Sequence, residues 1–431
     1  MHQLFRYIKV FYFLLILVIS YTATAQEITN NQQNQIYIKQ EINTGLLFKF
    51  SAEEEELLTD ESFFRMKQNI SSLNIMLESR NMLFLPSRQE QWGANLLIGP
   101  FLGNGEIADS SGIGFIDTNS TPAGFRGEAG LNYTSRFYWN NNTYTLLDVS
   151  GWGRYDLYKN NAEGTFIDST FKSSPYNDNS SDSKLRYGFK AKAGWGIGRI
   201  NVVNHFAVAQ WLLNKYYPGR IFSSDEVNAV GNEIGRIKHQ RELRNGHSTE
   251  IESEQLVKFI NEKLFLEQPD GLRYDWEYSE LRPRFHGSRF EGGPFFNYFN
   301  REPDFVYGGF VKYENHKYRS TGINRLIGAT LTYNGYKRDD WVTLEVTSGW
   351  SWYPSLKNEL SFGLRYIPGM VVKDWDDLQP VNHALIPYLE FYTQMNSRYR
   401  IESSFAYRIA KKDEMVVPGP EFSVSFFRSK Y

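Results

Sequence analysis

Between residues 184 and 213 the spacing of apolar residues changes from every second position to steps of three and four. From Leu185 to Ile197 each odd-numbered residue is apolar or aromatic, and the even-numbered positions carry glycines and four basic residues: Lys184, Arg186, Lys190 and Lys192. This alternation predicts a strand with one apolar and one polar face. After Arg199 the apolar positions follow the spacing of an amphipathic helix. Because four basic side chains on one face are costly in a packed core, the strand is expected to face a water-filled interior.

Composition also favours strands with one face in water and the other in an apolar surrounding. The chain has 431 residues, 16% of them aromatic, yet its mean hydropathy is −0.49. Many aromatic residues in a chain that is polar on average are typical of transmembrane β-barrels, because half of each strand faces water and aromatic girdles lie at both membrane interfaces. The alternative is an ordinary β-rich secreted protein. A formal net charge of −2 gives no support to nucleic-acid binding.

Residues 1–25 have the features of a secretory signal peptide. Two basic residues precede an apolar run at 10–20, and Ala23-Thr24-Ala25 forms an A-x-A cleavage site. The apolar run is too short for a spanning helix, and no run of 18 apolar residues follows it. Since the sequence contains no cysteine, we expect neither a lipid anchor at the cleavage site nor a disulfide framework.

The rest of the chain divides into four predicted segments. Residues 26–90 begin with a polar leader and allow a strand at 38–50 and a helix at 51–68, so we expect a periplasmic segment or a plug inside the barrel. Residues 91–199 predict barrel strands 1–4 and residues 284–431 predict strands 5–12. The long outer loops of the first group are expected at 103–123 and 159–183.

Three helices are predicted in the remaining segment, 200–283: one at 200–216, one at 224–244 and one at 249–265. The second and third begin with capping boxes, formed by Ser223 with Glu226 and by Thr249 with Glu252. Counted from a periplasmic N-terminus, this insert is the fourth connection between strands, which places it on the periplasmic side.

The signal peptide, the alternating strands and the aromatic last residue Tyr431 together resemble an outer-membrane β-barrel protein of a Gram-negative bacterium. The signal end at 23–26 and the run from Gly196 to Ile200 that leads into a helix resemble uncharacterised barrels of the Bacteroidetes. The resemblance covers about 92–431. It implies an all-β transmembrane barrel of about 12 antiparallel strands with an inserted periplasmic three-helix segment, located in the cell outer membrane, in contact with outer-membrane lipid and inserted by the barrel-assembly machinery.

Charged residues of both signs occupy the predicted inward face of the first four strands. They are Arg126, Glu128, Arg136, Asp148, Arg154, Asp156, Arg186, Lys190 and Lys192. Acidic and basic residues occur in equal numbers along the inward face as a whole. This balance predicts ion pairs across the lumen and no strong preference for anions or cations.

Two histidine patterns are candidates for chemistry. His286-Gly287-Ser288 has the His-x-Ser spacing of the outer-membrane phospholipase family, but strand parity places it near the periplasmic end, whereas that family works in the outer leaflet. His205 and His239 lack the i, i+4 pairing of a zinc helix, so we expect them on solvated helix faces. We therefore expect no catalytic, cofactor-binding or metal site.

These features favour a non-enzymatic barrel that serves envelope assembly, export or transport and carries a periplasmic helical docking module. An outer-membrane hydrolase of lipid or peptide and a small-solute pore are the alternatives. The apolar stripes of the three helices are explained either by packing on one another or by binding a periplasmic protein through 200–283.

Overall fold

The computed structural model describes residues 36–430. The ranges 59–62, 112–113, 242–247, 302–303, 337–339, 375–376, 379–380 and 411–415 and residues 268 and 270 are not described. The predicted signal peptide and polar leader therefore lie outside the described residues.

Fifteen strands form one antiparallel sheet. Their bounds are β1 Tyr37–Leu58, β2 Phe63–Phe84, β3 Arg88–Ser111, β4 Gly114–Tyr138, β5 Thr143–Asp168, β6 Ser173–Val202, β7 Phe285–Phe299, β8 Phe305–Ser320, β9 Ile323–Gly335, β10 Asp340–Trp352, β11 Asn358–Asp374, β12 Asp377–Leu378, β13 Asn382–Gln394, β14 Tyr399–Ala410 and β15 Gly419–Lys430. The sheet closes because β1 pairs with β15 and β10 pairs with β11. β12 pairs only with β11, so 14 strands make the ring and the predicted all-β barrel is confirmed.

The prediction of about 12 strands is wrong because the segment expected as a plug supplies two strands of the wall. β1 and β2 each contain 22 residues and pair from Tyr37↔Phe84 to Leu58↔Phe63. The helix expected at 51–68 is therefore also wrong. Four consecutive glutamates, Glu53 to Glu56, suggested a helix start, but in β1 the pairing with β2 overrides that local preference.

The outer loops expected at 103–123 and 159–183 are strands as well. β1–β6 contain 22–30 residues each, whereas β7–β11 and β13–β15 contain 12–17. The first six strands therefore project well beyond the other eight strands of the ring at the end away from the β6–β7 connection. Their outer halves are rich in Asn, Asp and Ser, and this composition suggested loops.

Large apolar side chains cover the outside of the barrel. Leu131 and Trp195 are 67% and 63% exposed, while Arg126 and Arg136, on the opposite face of β4 from Leu131, are 4% and 5% exposed. A wall with apolar residues outside and charges inside requires an apolar surrounding, because its outer face would be costly in water.

The described residues between β6 and β7 contain four helices: α1 Asn204–Tyr216, α2 Ser224–His239, α3 Thr249–Leu264 and α4 Leu272–Trp276. The first three overlap the predicted helices, and α4 is too short to show a periodic pattern. The capping box at Ser223 is present. For α3 the N-cap is Ser248, whose hydroxyl accepts from the N–H of Ile251, so the box expected at Thr249 is wrong. None of the described helices is both long and apolar enough to cross a membrane.

Candidate functional site

One group of predicted inward residues forms a network across the barrel. Arg126 on β4 contacts Asp156 on β5 at 2.8 Å and Glu53 on β1 at 3.1 Å. Arg154 contacts the same two carboxylates at 2.8 and 3.0 Å. Because β1 and β4 are separated by two strands in the ring, these contacts cross the interior. Two cations face two anions, so the network is neutral and each charge has a partner.

Two further ion pairs join strands that are not neighbours. Arg136 on β4 donates to both carboxylate oxygens of Glu291 on β7, at 3.0 and 3.2 Å. Arg400 on β14 pairs with Glu41 on β1, although β15 lies between these strands. Glu291 lies on β7, which is separated from β4 by two strands in the sheet, so its pairing with Arg136 depends on the curvature of the sheet.

The remaining charged residues predicted on the inward face lie on the same faces of β4–β6 as the ion pairs above. Glu128 lies 4.0 Å from Arg126, and Asp148 accepts from the hydroxyl of Thr134. Lys192 places its ammonium 4.9 Å from the ring centre of Phe310. The other two, Arg186 and Lys190, alternate with the exposed aromatic residues of β6.

Two cavities lie on the barrel interior. The larger, about 570 Å³, is lined by charged residues of both signs, among them Arg80, Arg325, Arg400, Glu78, Glu359 and Glu390. The smaller, about 380 Å³, lies between the long strands, on the side of the Arg126 network that faces away from the helices. Because charged and polar side chains line both cavities, the interior is wet rather than a packed apolar core.

The helices and the chain that follows them, residues 203–284, form what we call the helical module. Of the 16 buried apolar residues in its core, 15 belong to the module and one, Leu356, comes from the β10–β11 connection. Trp276 is fully buried there, and its indole N–H donates to Glu252 at 2.9 Å. The apolar stripes of the helices are thus explained by packing on one another.

Hydrogen bonds attach the helical module to the rim of the barrel, from β8 round to β1. The pairs are Gln210 with Tyr318, Arg284 with Thr321, Tyr274 with Lys357, Glu277 with Gln394, and His239 with Ile38. β6 and β7 lead directly into the module, so it lies across the mouth at this end. These attachments are polar, in contrast to the apolar core inside the module.

After α4 the chain enters the end of the lumen. The Arg282 guanidinium lines the larger cavity and contacts Glu390 at 3.2 Å and Glu359 at 3.7 Å. Arg284 stacks on the ring of Tyr353, 3.5 Å from its centre. Residues of the helical module therefore form the floor of the cavity.

Two histidines lie between the helical module and β1. His205 is buried, with its ring centre 5.3 Å from that of Tyr37 and 5.7 Å from that of His239. The expectation of a solvated helix face is wrong for His205. It shares the apolar face of α1 with Ala209 and Leu212, at i+4 and i+7, and this spacing was the available signal.

The His-x-Ser motif lies at the helix end of β7. His286 uses Nδ1 to accept a hydrogen bond from the backbone N–H of Tyr318 at 3.2 Å. Gly287 has a φ of +117°, so the strand is irregular between His286 and Ser288. Among the described residues no group of three or more His, Cys, Asp or Glu side chains has the geometry of a metal site.

No known protein family and no curated protein matches this sequence. Among solved structures, the chain is similar to the translocator domain of autotransporter NalP from Neisseria meningitidis, with 9% identity over 91% of this chain and 88% of that one and a TM-score of 0.30. It is also similar to CdiB from Acinetobacter baumannii (7% identity, 90% of this chain and 60% of that one, TM-score 0.28). A third similar structure is the outer membrane protease OmpT from Escherichia coli (11% identity, 94% of this chain and 97% of that one, TM-score 0.27). These likenesses are too distant to assign an activity.

Proposed function

We propose that this protein is a non-enzymatic outer-membrane β-barrel that serves transport or export, with the helical module as a lid on the periplasmic mouth of its lumen. The wall supports the membrane location, because its outer face is apolar and its inner face is charged. The module supports the lid, because it lies across one mouth and forms the floor of the larger cavity.

The direction of the barrel is inferred from its two ends. β1 begins and β15 ends at the rim that carries the helical module, where short turns such as 85–87 and 139–142 connect the strands. The opposite end carries the projecting halves of β1–β6. In bacterial outer-membrane barrels the short turns are periplasmic and the long connections extracellular, which supports a periplasmic module.

The observation that carries the lid proposal is the separation between the core of the helical module and its attachments. Releasing the module breaks a set of hydrogen bonds, each worth about 0.5–1.5 kcal/mol, together with the ion pairs of Arg282 and the packing of Leu356. Unfolding it would expose 15 buried apolar residues, and each large one contributes roughly 1.5–3 kcal/mol. The module therefore leaves the rim more readily than it unfolds, and a periplasmic partner that binds the released module would favour the open state.

A crosslink between the lid and the rim tests this proposal. The sequence has no cysteine, so cysteines in place of Tyr274 and Lys357, whose side chains are in contact, are the only thiols available to a bismaleimide. In planar bilayers we expect brief openings before crosslinking and none afterwards. The control is the same crosslink between Ile323 and Trp352, which are paired neighbours in the wall, and it should leave the openings unchanged. Openings that persist with the lid crosslinked would contradict the proposal.

A further inference from the structure

A third cavity, of about 150 Å³, lies in the seam between β1 and the helical module. It is lined by Tyr37 and Lys39 from the strand and by both histidines, Ser279 and Glu280 from the module. Three buried side-chain atoms of these residues have no hydrogen-bond partner in the described structure: Nδ1 and Nε2 of His205 and Oγ of Ser279. A cavity of this size with unpartnered polar atoms is expected to hold water, so protons can reach the buried imidazole.

The hydrogen bond between His239 and β1 requires a neutral imidazole. The backbone N–H of Ile38 donates to Nε2 of His239 at 3.1 Å. A protonated histidine carries a hydrogen on each ring nitrogen and accepts no hydrogen bond. Protonation of His239 would therefore break this bond and place two donors face to face at the attachment of the lid.

Charges around His205 would not compensate a proton on its ring. Lys238 and Arg241 come from the module, while Lys39 comes from β1 and pairs with Glu41. Glu280 is the nearby anion of the module, and it already pairs with Lys238 at 2.9 Å and with Arg241. Tyr37 packs against His205 with the two rings tilted by 40°, and it adds no charge at neutral pH. A protonated His205 would thus be a buried cation without an anion of its own.

We propose that the His205–His239 seam is a pH-sensitive latch, which holds the helical module on the rim when both histidines are neutral and releases it when they are protonated. This inference rests on the proposed lid function and adds its regulation. Acid at the periplasmic face is the signal, and the module leaves as a folded unit because its core is built almost entirely from its own residues.

The direction of the pH response follows from the two histidines. Burial and the neighbouring Lys238 lower the pKa of His205 well below its usual value, and the same two causes lower the pKa of His239. In the released module the sides of both rings that face β1 are open to water, so both pKa values rise toward the ordinary value of about 6.5. The latch is therefore complete above about pH 6.5 and weakens as the pH falls below it, by about tenfold in the docking equilibrium per pH unit and per histidine.

Spin labels at two introduced cysteines measure docking directly. Lys258 on α3 is exposed, and Asn141 lies in the exposed β4–β5 turn at the same rim. We expect one distance between the labels at pH 7.5 and a second, longer distance at pH 5. The double variant His205→Asn, His239→Gln should show the short distance at both values, because glutamine keeps an acceptor for Ile38 and neither side chain titrates. His383→Gln, a histidine outside the seam, is the matched control and should release like the wild type.

Two outcomes would overturn the latch: a wild-type module that stays docked at pH 5, or a double variant that is released at the wild-type pH. If the double variant does not fold, the single variant His239→Gln is measured instead. Between pH 7.5 and pH 5 the logarithm of its docking equilibrium constant should change about half as much as in the wild type. An unchanged response would overturn the latch. Conductance recorded on the same samples separates the two proposals. Release without a rise in conductance would contradict the lid and leave the latch, whereas a module that stays docked would contradict the latch alone.

Discussion

The barrel wall and the helical module place their apolar side chains on opposite sides. In the wall, residues such as Leu131 and Trp195 face outward and ion pairs such as Arg136 with Glu291 face inward. In the module, Trp276 and its apolar neighbours are packed inside. The wall is held by continuous strand pairing around a closed ring, whereas the module is held by its own core and polar rim contacts. This difference is the basis of the proposed lid.

Trp276→Ala should cause the largest loss of stability in the helical module relative to the wall. Removing a fully buried indole from the core of the module, together with its hydrogen bond to Glu252, is expected to cost about 3–5 kcal/mol. Hydrogen exchange should rise throughout α1–α3 while the strands stay protected. If the strands lose protection to the same extent, the two regions form one cooperative unit and the lid is not separate.

A matched pair in β4 tests the sidedness of the wall. Leu131→Arg places a charge on the outward face and should cost roughly 2–4 kcal/mol, whereas Asn132→Arg faces the larger cavity and should cost much less. The free energies of unfolding, measured in lipid vesicles with a chemical denaturant, check this. Equal losses for the two variants would show that the facing of β4 is misassigned.

Ser223→Ala should have the smallest effect and stay within the module. It removes the N-cap of α2, whose hydroxyl accepts from the N–H of Glu226, and is expected to cost about 0.5–2 kcal/mol. Exchange should increase in the first turn of α2 alone. Thr249→Ala is the control: it should be nearly neutral, because α3 is capped by Ser248. The reverse order of effects would contradict the observed caps.

The wall was predictable from sequence where polar and apolar residues alternate strictly. The period of two in β4–β6 predicted both the strands and the inward charges, because each side chain of a strand faces the side opposite its neighbours. The prediction failed at β1, where the run Glu53 to Glu56 suggested a helix, and in the outer halves of β3–β6, where polar residues occupy both faces. Where both faces of a strand meet water, the strand no longer needs an apolar face, and the alternation disappears.

The candidate site was predictable only in part. Caps and spacing located α1–α3 closely, since these signals are local. The partners of Arg136 and Arg400 depend on which strands the closed ring brings together, and no local pattern contains that information. His205 was missed because a histidine on an apolar helix face gives a weak signal, and its contact with Tyr37 joins residues 168 positions apart. Lid and latch are therefore properties of the assembled fold.

Removal of the helical module tests the central claim most directly. The backbone N–H of Val203 donates to the carbonyl of Arg284 at 2.8 Å, so the ends of the module are adjacent and a short Gly/Ser turn can replace residues 204–283. We predict that the shortened barrel still folds, keeps its resistance to detergent before heating, and conducts ions continuously in planar bilayers, whereas the full chain at pH 7.5 is mostly closed. A shortened barrel that folds and conducts no more than the full chain would contradict the account.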